Sequence, residues 1–431
     1  MNAVTKTQAL EKMARDFAAV SGVYNGADVT SPYEQMKEWR EKTPVLEGDI
    51  LRIFRAPSQA DWMGTGRKVY TVFRYKDVHQ ILRDDRNWLS KQNAEGFGSA
   101  VDNFLLTGMD GEEHHKWRAI LQPPMMPNAI KKWKDNLICP IIEDEFIGAM
   151  RPKGKSDLLL DFVLAFPVRV VYKMFGLPDD MVAAMQSAGW ALQIVGGPRF
   201  DPEEMKTSIP AAMEAGQRLY EYVLPAVQER RKSGVVRDDM IGFLMGLNVD
   251  GKSFTDEDIT TFIRMTLLAA GETTSRSFGN MIVLLLERPD VWERLRQDRS
   301  LIPKAVVETM RLETVAGHLA RLAARDMEIG GVTIKKDEAV TVCISSANRD
   351  PEVYANPDEL ILDRPMRPVM SFGFGPHICM GMHLAKLEME IALNAMLDLP
   401  NFRLDPDYPK PVIRGIQLRG PDQLHVKWDV A

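Results

Sequence analysis

The chain has 431 residues, 26% of them charged, a formal net charge of −6 and three cysteines. That length permits a large core, and the mild acidity argues against a nucleic-acid partner for the whole surface. Cys139, Cys343 and Cys379 are far apart and odd in number, which excludes a disulfide framework and fits a reducing cytoplasm.

No linker, low-complexity tract or fixed-period repeat interrupts the chain, so residues 1–431 are expected to form a single domain. Leu10, Met13, Ala14 and Phe17 fall at helical spacing. The first ~30 residues therefore read as an extra amphipathic helix or mobile arm, not a signal peptide or membrane span. Ser31-Pro32 opens a helix, because proline suits the first helical turn. The runs Ile50–Phe54 and Val69–Tyr75 read as strands. Helix signals dominate from Asp77 to Glu313, and strand signals return at 327–334, 339–346, 412–420 and 424–428. This is a mainly α chain with a smaller β region, an α+β pattern.

The longest helical run starts near Thr255 and is limited by Pro289. At ~1.5 Å per residue it spans about 45 Å, and apolar residues on both sides predict a middle buried all round. That middle reads Ala269-Ala270-Gly271-Glu272-Thr273-Thr274. Glycine costs about 1 kcal/mol against alanine there, and an unpaired buried glutamate costs more. Two readings stand: a polar patch beside a neighbouring helix, or a local opening that offers Thr273 and Glu272 to a cavity. Glu308 and Arg311 share a helix face at i, i+3; alone, they read as an ordinary solvated pair.

The stretch SFGFGPHICMG places Gly373, Gly375 and Gly381 around Cys379, with Phe372 alongside. A helical apolar pattern follows. Glycines let backbone approach a large flat body, and a helix N-terminus stabilises a thiolate. A buried structural cysteine in a glycine-rich turn is the plainer reading. Zinc lacks a second nearby cysteine, and a phosphate loop lacks its Lys-Ser/Thr.

Phe372-x-x-Gly375-x-His377-x-Cys379-x-Gly381 resembles the haem-thiolate signature of the cytochrome P-450 monooxygenases. Glu308-x-x-Arg311 resembles the family's upstream ion pair. Ala269 to Thr273 resembles its oxygen-binding stretch, with Ala270 where glycine is usual and Gly271 following. Asp110-Gly111-Glu112-Glu113-His114-x-x-x-Arg118 resembles another family helix, and RLAARDMEIGG and SANRDP two further blocks. The resemblance runs from about Ser31 to the C-terminus.

The resemblance implies a single triangular haem-binding unit of the soluble bacterial type. Its cofactor is haem b (iron protoporphyrin IX), with Cys379 as axial iron ligand. His114, Arg118, Arg321 and His377 are the implied propionate contacts, and Phe372, Gly373, Ala270 and Gly271 border the haem. Thr273 is implied to hydrogen-bond dioxygen and Glu272 to supply protons, while Glu308 and Arg311 are structural. One oxygen atom from O2 would enter an apolar small molecule. Electrons would come from NAD(P)H through a ferredoxin reductase and a ferredoxin, met by Lys116, Arg118, Lys131, Lys132 and Lys386. The candidate pocket residues are Phe97, Leu105, Val195, Leu267, Ala269, Val315, Ala316 and Ile416, with Arg414 and His318 for a polar end. The alternatives are a peroxide-driven peroxygenase and a haem-based sensor.

Overall fold

In a computed structural model, residues 5–26, 28–62, 64–96, 106–365 and 367–430 are described. Phe97 and Leu105 lie outside the described residues. One core cluster draws on residues from Ala9 to Trp428, so both ends of the chain close on the same apolar interior.

The central helix, Asp256–Leu286, is its axis. A capping box starts it: Thr255 Oγ1 accepts from the Asp258 N–H, and the Asp258 carboxylate accepts from the Thr255 N–H. These bonds satisfy two N–H groups that no helical turn can serve. Around this helix pack Phe166–Met174, Met181–Val195, Pro202–Ser233 and Ile302–Leu312. The N-terminal segment is a packed helix, Lys6–Tyr24, that buries Met13, Phe17 and Val20 against Met181–Val195.

The main sheet has five strands in the order Val45–Glu47, Val69–Val72, Ala339–Cys343, His318–Ala323 and Trp88–Leu89. Only Val69–Val72 and Ala339–Cys343 run parallel, with Val340 beside Tyr70 and, on the other edge, Arg321. A second sheet joins Lys155–Asp157 to the C-terminal strand His425–Lys427.

Two local expectations need correction. Ile50–Phe54 is not a strand: Ile50–Ile53 is a helical turn capped by Asp49, whose carboxylate accepts from the Leu51 N–H and the Ser58 hydroxyl. That cap overrides the β propensity of two isoleucines. The central helix does not open at Gly271 either. It is helical throughout, and a Cβ on Gly271 would stand 2.8 Å from Val168 Cγ2. The glycine serves close packing of two helices.

Candidate active site

Cys379 ends a loop closed by its own backbone, its N–H donating to the Phe372 carbonyl at 2.8 Å. Gly373 and Gly375 hold φ of +74° and +73°, and a Cβ on Gly375 would stand 2.4 Å from the Leu82 carbonyl oxygen. Both positions therefore favour glycine. The following helix, Met382–Met396, starts three residues after the cysteine. Burial pushes the Cys379 thiol up; the N–H groups of Gly381 and Met382 and the Arg118 guanidinium oppose that shift. The side chain is exposed, whereas every other residue from 371 to 380 is buried or half-buried. A group deep in the fold that still meets solvent borders an internal hollow.

Four cationic or donor side chains gather near this loop. The rings of His114 and His377 stack at 3.8 Å between centroids, 23° from parallel. His114 is buried, and both its ring nitrogens and His377 Nε2 lack a hydrogen-bond partner among the described residues. Arg321 is buried and donates to the Ala320 carbonyl at 2.7 Å. Arg118 donates to the Ile378 carbonyl at 2.6 Å, beside the cysteine. Burial holds His114 down to about 4, with the Arg118 charge next; burial and the Arg321 charge hold His377 down to about 2. Arg321 itself is brought down to about 10 by burial. Crowded, buried, partly orphaned donors of one sign call for an anion. The two propionates of a haem lying against Cys379 fit that demand.

The central helix turns one face to open space. Ala269 is exposed in the middle of an otherwise buried helix, and Thr266, Ala270 and Thr273 beside it are half-buried. These residues recur at i, i+3, i+4 and i+7, so they form one stripe. The expectation of a middle buried all round is therefore wrong. The Thr273 hydroxyl donates to the Ala269 carbonyl at 2.8 Å.

Glu272 is on the other side. Its Oε1 accepts from Arg276 Nε at 2.9 Å and Nη2 at 2.6 Å, and both side chains are buried. Arg276 also donates to Ser21 Oγ at 2.9 Å and sits 4.1 Å over the Phe17 ring. The acid is thus locked beneath the N-terminal helix. The residues alone did not reveal Arg276, although its i, i+4 spacing from Glu272 is a usable signal.

The structure divides the expected pocket. Ala269 faces open space and Ala316 is half-buried, whereas Val315 is buried. Val195 and Leu267 line a small cavity behind the helix, with Glu272, Phe17 and Met13. Ile416 is fully buried in a separate cluster with Ile50 and Leu51. His318 is buried between Gln417 and Cys343, and Arg414 is paired with Asp28 and Asp422. Ile416 and His318 are thus packed away, and Val195 and Leu267 turned to a separate cavity, by elements that no local pattern predicts.

Glu308 and Arg311 are no solvated pair. Arg311 is fully buried, donates to both Glu308 oxygens at 2.9 Å and reaches the carbonyls of Asn348, Pro357 and Glu359. Arg364 completes the network on Glu308 at 3.0 Å. Of the basic residues expected to face a donor, Lys116 pairs with Asp250 and Lys132 with Asp238, and Lys386 sits 5.5 Å from the Phe372 ring centroid. Lys131 is exposed with no ion pair among the described residues.

The cytochrome P-450 family model matches residues 60–422. The chain belongs to this family of haem-dependent monooxygenases, which use haem b, dioxygen and electrons from NAD(P)H passed through redox partners. It is 32% identical over 426 residues to pulcherriminic acid synthase of Bacillus subtilis, covering 93% of this chain and 96% of that protein. It is 31% identical over 377 residues to nocardicin C N-oxygenase of Nocardia uniformis, covering 84% and 90%. The crystal structure of CYP109E1 from Bacillus megaterium in complex with testosterone superposes with a TM-score of 0.77 at 26% identity, over 93% of this chain and 100% of that one. Among the described residues, no helix is long and apolar enough to cross a membrane.

Proposed function

We propose that this protein inserts one oxygen atom of O2 into an apolar small molecule, with Cys379 as the haem ligand and a ferredoxin as the electron donor. The observation that carries the reading is the accessible Cys379 thiol, set among two N–H groups and Arg118, next to a buried cluster of unpartnered donors. Bound haem supplies the reductive activation of dioxygen.

The chain's own residues do the rest. Arg118 and the Gly381 and Met382 N–H groups favour negative charge on Cys379 Sγ. His114, His377, Arg118 and Arg321 hold the two propionates and fix the orientation of the ring. Ala269 and Ala270 keep the facing helix surface low and apolar, which admits a hydrocarbon and excludes water. Thr273 Oγ1 holds a proton on that surface. Glu272 can replenish it only after releasing Arg276, because its carboxylate is turned behind the helix. Glu308 and Arg311 brace the segment that leads to the cysteine loop. Lys131, exposed and with no ion pair among the described residues, is the clearest point of attraction for an acidic ferredoxin.

The test is the absorption of the reduced, carbon monoxide-bound protein. The native chain should show the long-wavelength Soret band of thiolate-ligated haem, and Cys379→Ala should lose it. A band that survives the substitution would give the ligand role to another cysteine and overturn the assignment. Full activity with hydrogen peroxide alone, and none with ferredoxin and its reductase, would make the protein a peroxygenase.

A further inference from the structure

Behind the central helix, Glu272 and the N-terminal helix Lys6–Tyr24 face each other across a cavity of about 20 Å³. Met13 and Phe17 line its outer side, and Glu272 and Ser275 are its polar groups. A space of ~10–15 Å³ already takes one water molecule. Both guanidinium bonds from Arg276 fall on Oε1 of Glu272, so Oε2 takes neither. The Ser275 hydroxyl donates to the Gly271 carbonyl at 2.7 Å, which leaves its oxygen able to accept. A water in the cavity therefore meets a carboxylate and a hydroxyl acceptor.

Two residues of the N-terminal helix hold Arg276 from outside its own helix. Ser21 Oγ accepts from Nη2 at 2.9 Å, while its own proton goes to the Phe17 carbonyl at 2.9 Å. The Phe17 ring lies 4.1 Å from the guanidinium carbon, a cation–π contact that gains strength out of water. Among the described residues, no other side chain outside the central helix hydrogen-bonds this guanidinium. Both holding residues are fixed from either side. Before them, Asp16 is paired with Lys12 at 2.7 Å and packs on Gly189, where a Cβ would stand 2.8 Å from its Oδ2. After them, the Tyr24 hydroxyl donates to the Val195 carbonyl at 3.2 Å.

We infer that Ser21 and Phe17 are positioning residues for the proton supply, which reaches Glu272 through a water beneath the N-terminal helix. They act through Arg276. While they hold the guanidinium, the Glu272 carboxylate stays paired and turned away from Thr273. When that hold is broken, Arg276 gives up Oε1. The cavity water then passes a proton to Glu272 and takes one from solvent, so it stays neutral. Glu272 gives its proton to Thr273 Oγ1 as Thr273 passes its own on, and the carboxylate returns to Arg276. One water or direct contact is the reach that proton transfer needs. The inference rests on the monooxygenase reading for the role of Thr273 and deepens it, because it places the control of turnover in the first helix of the chain.

NAD(P)H consumption by the haem-loaded protein, with excess ferredoxin and reductase and no added substrate, tests this in H2O and in D2O. The electrons then leave as hydrogen peroxide, which takes up one proton for each electron. The unsubstituted protein should be slower in D2O. Ser21→Ala and Phe17→Leu should each raise the rate in H2O severalfold and bring the isotope ratio toward one, with haem content unchanged. Ser21→Thr keeps the hydroxyl and should behave as the parent. In a Glu272→Gln background Ser21→Ala should change neither quantity, whereas a helix that merely steadies the fold would alter both backgrounds alike. Without turnover, the urea midpoints of Ser21→Ala and Glu272→Gln should be non-additive, since both act on Arg276. Additive midpoints, a Ser21→Ala variant no faster than the parent, or equal rates of the parent in H2O and D2O would each overturn the inference, and the last does not depend on any variant folding. The two readings fail separately: loss of the thiolate Soret band strikes the monooxygenase, whereas an intact band with no isotope response strikes the positioning role alone.

Discussion

Glu272 and Arg276 form a buried ion pair one helical turn apart, with Oε1 of the acid accepting two guanidinium N–H groups at 2.9 and 2.6 Å. The pair sits inside the central helix, and the N-terminal helix closes over it through Phe17 and Ser21. The first helix of the chain is therefore packed on the acid that stands next to Thr273.

A buried pair is costly to break from one side. Arg276→Met leaves the Glu272 carboxylate uncompensated, and the expected loss is about 3–5 kcal/mol of stability. Glu272→Met should be similarly damaging, since Arg276 is then the stranded charge. The double variant Glu272→Met/Arg276→Met should recover most of that loss. Urea unfolding of the four proteins gives the coupling directly. Single variants within 1 kcal/mol of the parent would mean that the pair is hydrated and not closed off by the N-terminal helix.

Much of this site was legible because its parts obey local rules. The glycines around Cys379 announced a tight loop, and two of them take positive φ there. Thr255 and Asp258 marked the start of the central helix. What stayed hidden depends on which neighbour covers which face. A helix with apolar residues all round carries no phase, so Leu267 and Ala269 looked alike, though one lines a cavity beside Phe17 and the other faces open space. Ile416 reads as any apolar residue, and only the tertiary fold puts it with Ile50. Asp49 defeated the strand expectation at Ile50–Phe54 because its partner, Ser58, lies beyond the turn.

Acid should weaken the fold through the buried His318. Burial lowers it to about 4, and no acidic partner opposes that shift. In the unfolded chain a histidine titrates near 6.5. Above that pH neither state binds the proton and the group contributes nothing. Below it the unfolded chain takes a proton that the native chain refuses, so stability falls as pH drops from about 6.5 toward 4. At pH 5 His318 costs up to about 2 kcal/mol. His318→Leu should flatten that slope whatever it does to stability at neutral pH, since the comparison is between pH 7.5 and pH 5 within each protein. Urea unfolding at the two pH values measures it. An unchanged slope would show that His318 already carries its proton in the native state.

On the proposed reading, Thr273 decides where electrons go. For the O–O bond to break, reduced dioxygen would need both protons on the oxygen that leaves as water, whereas one proton on each oxygen would release hydrogen peroxide. Thr273 is half-buried on the open face of the central helix, while Thr274 is buried on another. Its hydroxyl now donates to the Ala269 carbonyl, a bond within its own helix that can be exchanged for a new acceptor by one rotation. Thr273→Ala removes the proton holder and little else. Alanine is the better helix former and no buried partner is orphaned, so stability should stay within about 1 kcal/mol. Haem content and the binding of substrate should also be unchanged. Product per NAD(P)H should fall severalfold, and hydrogen peroxide should account for the missing electrons. Thr273→Ser keeps the hydroxyl and should restore most of the coupling. The measurement is product, peroxide and cofactor consumption in one reconstituted assay. Coupling that survives Thr273→Ala would move the proton source to Thr274 or to a hydroxyl on the substrate, and would remove Thr273 from the catalytic set.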